Sequence, residues 1–269
     1  MLLRNIFLKE LRDRRISLFW WGISFFLLAL MIGSVFPTIQ KTGAGFQSYI
    51  ENLPDAFKAA FMIEKVVDLT SAKGFLNAEL FSMMIPVMLI IFAVGFGSGA
   101  IAGEEEAGTL DLLLANPLSR RRVLLEKFVA MVLGTGLLGF VLWISLVITV
   151  AAFDMNIGAG PLAAATVSSI LISLTFGVIA LALGAATGRK GLAIGAAIGL
   201  TTASYLLNVL AKSVESLKNY DKLSLFYYQV NADPLNNGLR LGDVAVFVGV
   251  ISVFLIIAFL GFQRRDLSV

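Results

Sequence analysis

The sequence contains no cysteine and no histidine among its 269 residues. Without cysteine, the chain can form no disulfide and offers no thiolate nucleophile or thiolate metal ligand. Without histidine, it lacks the side chain that most often serves as a general base and as a metal ligand. An enzymatic function would therefore depend on carboxylates, lysine, tyrosine, serine or threonine.

Charged residues are also scarce, at 14% of the chain, whereas soluble domains average about 25%. Hydrophobic residues make up 58%, and the mean hydropathy is +0.88. This composition predicts an all-α integral membrane protein, because a helix satisfies its own backbone hydrogen bonds within lipid. The net charge of +3 is too small to indicate a nucleic-acid partner.

Six apolar runs approach or exceed the ~20 residues that a helix needs to cross a bilayer. They lie at residues 16–39, 80–103, 128–153, 161–188, 191–211 and 244–262. The first run is too long for the core of a secretory signal, which has roughly 7–15 residues, and no cleavage site follows it. We therefore predict a single transmembrane domain over residues 1–269 with six retained spans.

The basic residues predict the orientation of these spans. If the N-terminus is cytoplasmic, the inner segments hold 13 of the 21 lysines and arginines, and the positive-inside rule places both termini in the cytoplasm. Residues 1–15 carry Leu3, Phe7 and Leu11 at helical spacing among five basic residues. This pattern predicts an amphipathic helix at the membrane interface, next to anionic headgroups. A plain basic flank is the alternative.

Glycines recur at every fourth position in the second and fifth spans. The rows are Gly95, Gly99 and Gly103, and Gly191, Gly195 and Gly199. Small residues at this spacing let helices approach closely, so we predict helix packing within the bundle, with a dimer interface as the alternative. Pro86 predicts a kink in the second span.

No span carries a charged residue near its centre, whereas ion-coupled carriers usually keep one there. The deepest polar groups are Asn208 and several hydroxyls, which can bond to their own helix. These features disfavour an ion-coupled secondary transporter. The lack of histidine, cysteine and a buried acid pair disfavours an intramembrane enzyme. Both functions are kept as alternatives.

The segment between the second and third spans, residues 102–128, holds nine charges in 27 residues. Three glutamates, Glu104, Glu105 and Glu106, follow the second span directly, so they require a compensating partner for their mutual repulsion. Residues 109–115 predict a short helix with leucines along one face. Such a segment is either a plain turn or a docking surface. The leucine face favours docking into a groove of a soluble partner.

The residues after this short helix predict where the next helix begins. Asn116 precedes Pro117 and therefore avoids the helical region. Ser119 is a suitable N-cap for the next helix. Three arginines then occupy its first turn, where the helix dipole disfavours cations. We attribute that placement to membrane topology and to contact with acids or phosphates.

The segment GEEEAGTLDLLLANPLSRRRVLLEKF resembles the cytoplasmic loop of ABC-transporter permeases of the second exporter type. Its recurring pattern is an acidic pair, Gly-Thr, an aliphatic-acidic stretch, Pro-x-Ser-Arg and a later lysine, here Lys127. Six spans and an amphipathic N-terminal helix agree with the resemblance over the whole chain. The residues that it assigns to ATPase coupling are Glu104, Glu105, Glu106, Gly108, Thr109, Leu110, Asp111, Leu113, Leu114, Pro117 and Arg120.

The resemblance implies a permease subunit, with residues 104–127 as a coupling loop that docks on a separate ATP-binding subunit. No G-x-x-x-x-G-K-[ST] motif occurs in the sequence, so ATP and magnesium are expected in the partner and no cofactor or metal in this chain. The resemblance also implies a second permease chain, export as the direction, and a location in a prokaryotic cell membrane, surrounded by lipid.

Overall fold

The computed structural model describes residues 6–51, 53–54, 71–114 and 119–265, with the backbone alone for residues 43–51, 112 and 114. All regular structure in these ranges is helical. The helices are α1 (Ile6–Asp13), α2 (Arg15–Glu51), α3 (Ala72–Glu106), α4 (Leu110–Leu114), α5 (Arg120–Ala152), α6 (Ala159–Thr187), α7 (Lys190–Ser213), α8 (Pro234–Asn237) and α9 (Leu241–Arg264). A 3-10 helix (Glu215–Leu223) and a π-helical turn (Tyr227–Asn231) lie between α7 and α8.

Six of these helices, namely α2, α3, α5, α6, α7 and α9, are long and apolar enough to cross a membrane. They confirm the predicted all-α class and the six spans. Three helices extend well beyond the apolar runs: α2 continues past residue 39, α3 starts eight residues before residue 80, and α5 starts eight residues before residue 128. Hydropathy detects only the part of a helix that suits lipid, so it missed these polar ends.

Helix α6 is the centre of the bundle, because α3, α5, α7 and α9 all pack against it. Its buried hydroxyls donate to the carbonyl oxygen one turn earlier. Thr166 donates to Leu162 at 2.8 Å, and Ser169 donates to Ala165 at 3.0 Å. These polar side chains are therefore satisfied within their own helix, as the sequence predicted.

A close helix approach joins α3 to α6 at Gly97 and Gly177. A Cβ atom on Gly97 would overlap the main-chain carbonyl oxygen of Gly177. The glycine rows predicted for packing lie elsewhere. Gly95, Gly191, Gly195 and Gly199 have no described neighbour within 4 Å of a Cβ position, Gly99 faces the Arg14 guanidinium, and Gly103 faces the Lys190 stem. None of these six glycines approaches the main chain of another helix closely among the described residues. Glycine spacing identifies a smooth face but not the helix that covers it, so the packing role of these rows stays a prediction.

The helix type of α3 changes next to Pro86. A π-helical segment, Asn77–Met84, immediately precedes the α-helical segment Ile85–Ser98, in which proline occupies the first turn. Proline has no N–H to donate, and a wider π-helical turn beside it lets the helix adjust to the missing hydrogen bond. A second π-helical turn, Gly99–Gly103, leads directly into the three glutamates. The helix type of α3 thus changes next to Pro86, and the kink expected there stays a prediction.

Candidate coupling site

The turn between α3 and α4 follows from the Gly-Thr pair. Gly108 has a left-handed backbone with φ of 65°. Its N–H donates to the carbonyl of Glu105 at 2.9 Å, and the Thr109 N–H donates to the carbonyl of Glu104 at 2.8 Å. These two bonds form a Schellman motif, which ends a helix and favours glycine at this position. The motif thus reverses the chain and starts α4.

The leucine face of α4 is buried inside the chain. Leu110 is 1% exposed and Leu113 is 4% exposed. Both belong to an apolar cluster that also contains Ile6, Val123 and Phe262. These two leucines therefore anchor α4 to its own bundle and present no apolar face to a partner, in contrast to the docking mode that the sequence suggested.

The exposed surface of this segment is polar and small. Ala107, Gly108, Thr109 and Asp111 are exposed to solvent. The Leu114 side chain and residues 115–118, with Pro117, lie outside the described residues. The surface that remains for a partner is therefore the turn and the Asp111 side of α4.

Each of the three glutamates contacts a different helix. Glu104 forms ion pairs with Lys9 of α1 at 3.3 Å and with Lys127 of α5 at 2.8 Å. Glu105 pairs with Arg265, just after α9. The Glu106 carboxylate accepts the backbone N–H of Lys190 at 2.8 Å, at the start of α7. The compensation that the sequence required is thus supplied within the chain.

Lys127 is fully buried between two carboxylates. Its ammonium group lies 2.5 Å from Glu10 of α1 and 2.8 Å from Glu104. A buried cation is tolerated when paired carboxylates replace its lost hydration. Sequence reasoning treated Lys127 only as a motif position and overlooked Glu10. The sequence did indicate that Glu10 would be buried, because it follows Ile6 by one helical turn on the apolar side of α1.

Arg120 binds the C-terminal end of α9. Its guanidinium donates to the main-chain oxygens of Phe262 at 2.9 Å and of Arg265 at 2.7 Å. A cation is favourable at the C-terminus of a helix, where carbonyls are left without partners. Ser119 accepts a hydrogen bond from the Arg122 N–H, which confirms the predicted N-cap of α5. The arginine cluster is therefore explained in part by the neighbouring helix end.

Helix α1 is fixed to the same place by both of its ends. The Phe7 N–H donates to the Glu126 carboxylate of α5 at 3.3 Å. The Arg14 guanidinium lies 3.9 Å from the centre of the Phe96 ring and 3.5 Å from Glu10. We call this ion-paired region, which joins α1, α4 and the adjoining ends of α3, α5, α7 and α9, the charged end of the bundle. These contacts connect α1 and the ends of four long helices around α4.

The fold and the charged end define a multi-pass helical membrane protein in which a short helix links the ends of its spans. The profile of the family described as "ABC-2 family transporter protein" matches residues 4–267. The chain therefore belongs to the ABC-2 transporter family.

A curated relative supports this assignment. The chain is 34% identical over 135 residues to a protein described as "Probable ABC transporter permease protein NosY" from Pseudomonas aeruginosa. The match covers 45% of this chain and 44% of the relative, so the chain spans less than half the length of that relative.

Proposed function

We propose that this chain is the membrane-spanning permease subunit of an ATP-driven exporter, with ATP bound and hydrolysed by a separate subunit. Membership of the ABC-2 family supports the permease class. The observation that carries the coupling role is the construction of α4, in which buried leucines hold a small polar surface outward. Such a helix is suited to receiving force from a partner and not to performing chemistry.

The ion pairs around α4 supply a route for that force. Movement of α4 pulls on Glu104 through the tight turn at Gly108, and Glu104 pairs with Lys9 and Lys127. Glu105 and Arg265 extend the linkage to α9. Packed side chains and ion pairs of this kind carry coupling between sites when the elements move as rigid bodies. Closure of the ATPase would thereby tilt several spans together.

The remaining features of the assembly follow from the same proposal. The charged end faces the cytoplasm, where the ATPase with its ATP and magnesium resides, and the opposite end faces outward. A second permease chain completes the pathway in a prokaryotic cell membrane. The bacterial origin of the NosY relative is consistent with that location. Export as the direction rests on the resemblance of the coupling segment.

The docking test uses Asp111, because its side chain is exposed and makes no ion pair with any described residue. In Asp111→Lys, co-purification of the ATPase with the permease and permease-stimulated ATP hydrolysis should fall at least about tenfold, equivalent to ~1.4 kcal/mol. Glu215→Lys reverses an exposed charge at the opposite end and serves as the matched control. Wild-type co-purification and hydrolysis in Asp111→Lys would refute docking on this surface.

A second experiment separates the proposal from an ion-coupled carrier. Vesicles containing the permease and its ATPase should lose transport when ATP is withdrawn, whatever ion gradient is present. Transport by the permease alone on an ion gradient would refute the exporter proposal.

A further inference from the structure

An open apolar groove runs between α2 and α5 on the outside of the bundle. Its volume is about 610 Å³, and its walls include Leu18, Gly22 and Phe26 from α2 and Val141 and Ile144 from α5. The groove lies in the membrane-spanning part of both helices. Its surface is suited to a hydrocarbon chain.

Arg15 stands at one end of this groove and is the one charged side chain among the described residues that line it. Two nearby cations are engaged: Lys9 pairs with Glu104, and Arg14 contacts Glu10 and Phe96. Arg12 is exposed but is not among the described residues that line the groove. Arg15 is exposed and forms no ion pair with any residue that the structure describes. An arginine beside a hydrophobic surface requires an anion or water for its guanidinium.

The size of the groove matches one leaflet of a bilayer. At ~1.5 Å per residue, the eleven steps from Arg15 to Phe26 extend about 16 Å. Half of a ~30 Å hydrocarbon core is about 15 Å. Phe19 and Trp20, which follow Arg15, are 62% and 61% exposed. Exposed aromatics at this position are typical of the level of lipid headgroups.

We propose that the groove binds one anionic phospholipid, with its phosphate on Arg15 and an acyl chain along Gly22 to Phe26. The guanidinium and a phosphate form paired charge-assisted hydrogen bonds. In an anionic lipid the phosphate carries an uncompensated charge, whereas in a zwitterionic lipid the cation of the headgroup offsets it. The apolar walls recognise the acyl chain without regard to its headgroup. The site sits beside α1, which the charged end holds in place, so the bound lipid stabilises the junction of α1 and α2.

The experiment is native mass spectrometry of the full chain titrated with phosphatidylglycerol or phosphatidylcholine that carry identical acyl chains. The wild-type chain should retain phosphatidylglycerol about fivefold more tightly, the ratio given by the ~1 kcal/mol that one arginine contributes near an anionic surface. Arg15→Gln should abolish this preference. Arg189→Gln, which removes an exposed arginine that does not line the groove, should keep it.

A second variant tests the acyl part of the site. A Cβ atom on Gly22 would lie 3.6 Å from Val141, an ordinary contact, so Gly22→Leu should fold and fill the groove. Both lipids should then bind less tightly. Equal binding of the two lipids by the wild-type chain, or equal losses in Arg15→Gln and Arg189→Gln, would overturn the proposal. The proposal would also be overturned if Gly22→Leu weakened the dimer of two permease chains but still bound both lipids. In that case the groove would hold a second chain and not a lipid.

Discussion

At the scale of single residues, Lys127 is the group whose removal should cost most. It is fully buried, and Glu10 and Glu104 both depend on its charge. Lys127→Met should lower the free energy of unfolding by about 3–5 kcal/mol, because two carboxylates lose their buried partner. Lys218→Met, at an exposed lysine, should change it by less than about 0.5 kcal/mol. Thermal unfolding of the chain in detergent measures both.

A second substitution tests whether charge is the reason for that loss. Adding Glu10→Gln to Lys127→Met removes one of the two carboxylates that have lost Lys127 and should recover part of the stability. The coupling energy in this double-mutant cycle should lie at about 0.5–3 kcal/mol, as for residues in direct contact. Strictly additive losses would contradict the ion-pair account.

Two glycines of α3 allow a crowded packing position to be compared with an open one. Gly97→Ala places a methyl group on the Gly177 carbonyl. Because a main-chain carbonyl cannot change rotamer to relieve the overlap, the free energy of unfolding should fall by about 1–3 kcal/mol. Gly95→Ala meets no described atom within 4 Å and should be neutral, or stabilising by up to about 1 kcal/mol through helix propensity. Melting temperatures in detergent should rank Gly97→Ala lowest. The reverse order would contradict the α3–α6 contact.

At the scale of elements, the link between α3 and α4 depends on the left-handed backbone of Gly108. No described atom lies within 4 Å of a Cβ position there, so a substitution tests backbone conformation alone. Gly108→Ala should cost about 1–2 kcal/mol, and Gly108→Asn less, since asparagine tolerates this conformation. Amide hydrogen exchange of Thr109 and Leu113 should accelerate in the order Gly, Asn, Ala. Equal exchange in all three would contradict the Schellman turn.

The elements also show what local sequence can and cannot predict. Hydropathy located six spans, and the cap at Ser119 followed from one residue type, because both depend on neighbouring positions. The partners of the charged groups could not be predicted in this way: Glu10 and Lys127 are 117 residues apart, and Glu105 and Arg265 are 160 apart. Such pairs exist only after the helices have packed. The burial of Leu110 was missed for the same reason, since an apolar face does not reveal what covers it.

At the scale of the whole molecule, the proposed second permease chain needs a face to contact. Gly191, Gly195 and Gly199 form an exposed row on α7, beside an apolar groove of about 620 Å³ between α3 and α7. Because the chain is free of cysteine, Gly195→Cys introduces a single reactive thiol. It should give disulfide-linked dimers in membranes, whereas Gly249→Cys, on the exposed side of α9, should not. Cross-linking at residue 249 alone would contradict this arrangement.

The contacts of Arg265 with Glu105, and of Arg120 with the end of α9, have a consequence for how the protein is made. Helix α9 follows the other five long apolar helices in the sequence, so during synthesis those helices are made before residues 262–265. Until α9 has packed, Glu105 and Arg120 lack these contacts, and the charged end stays incomplete. A chain arrested before α9 should therefore keep both charges exposed.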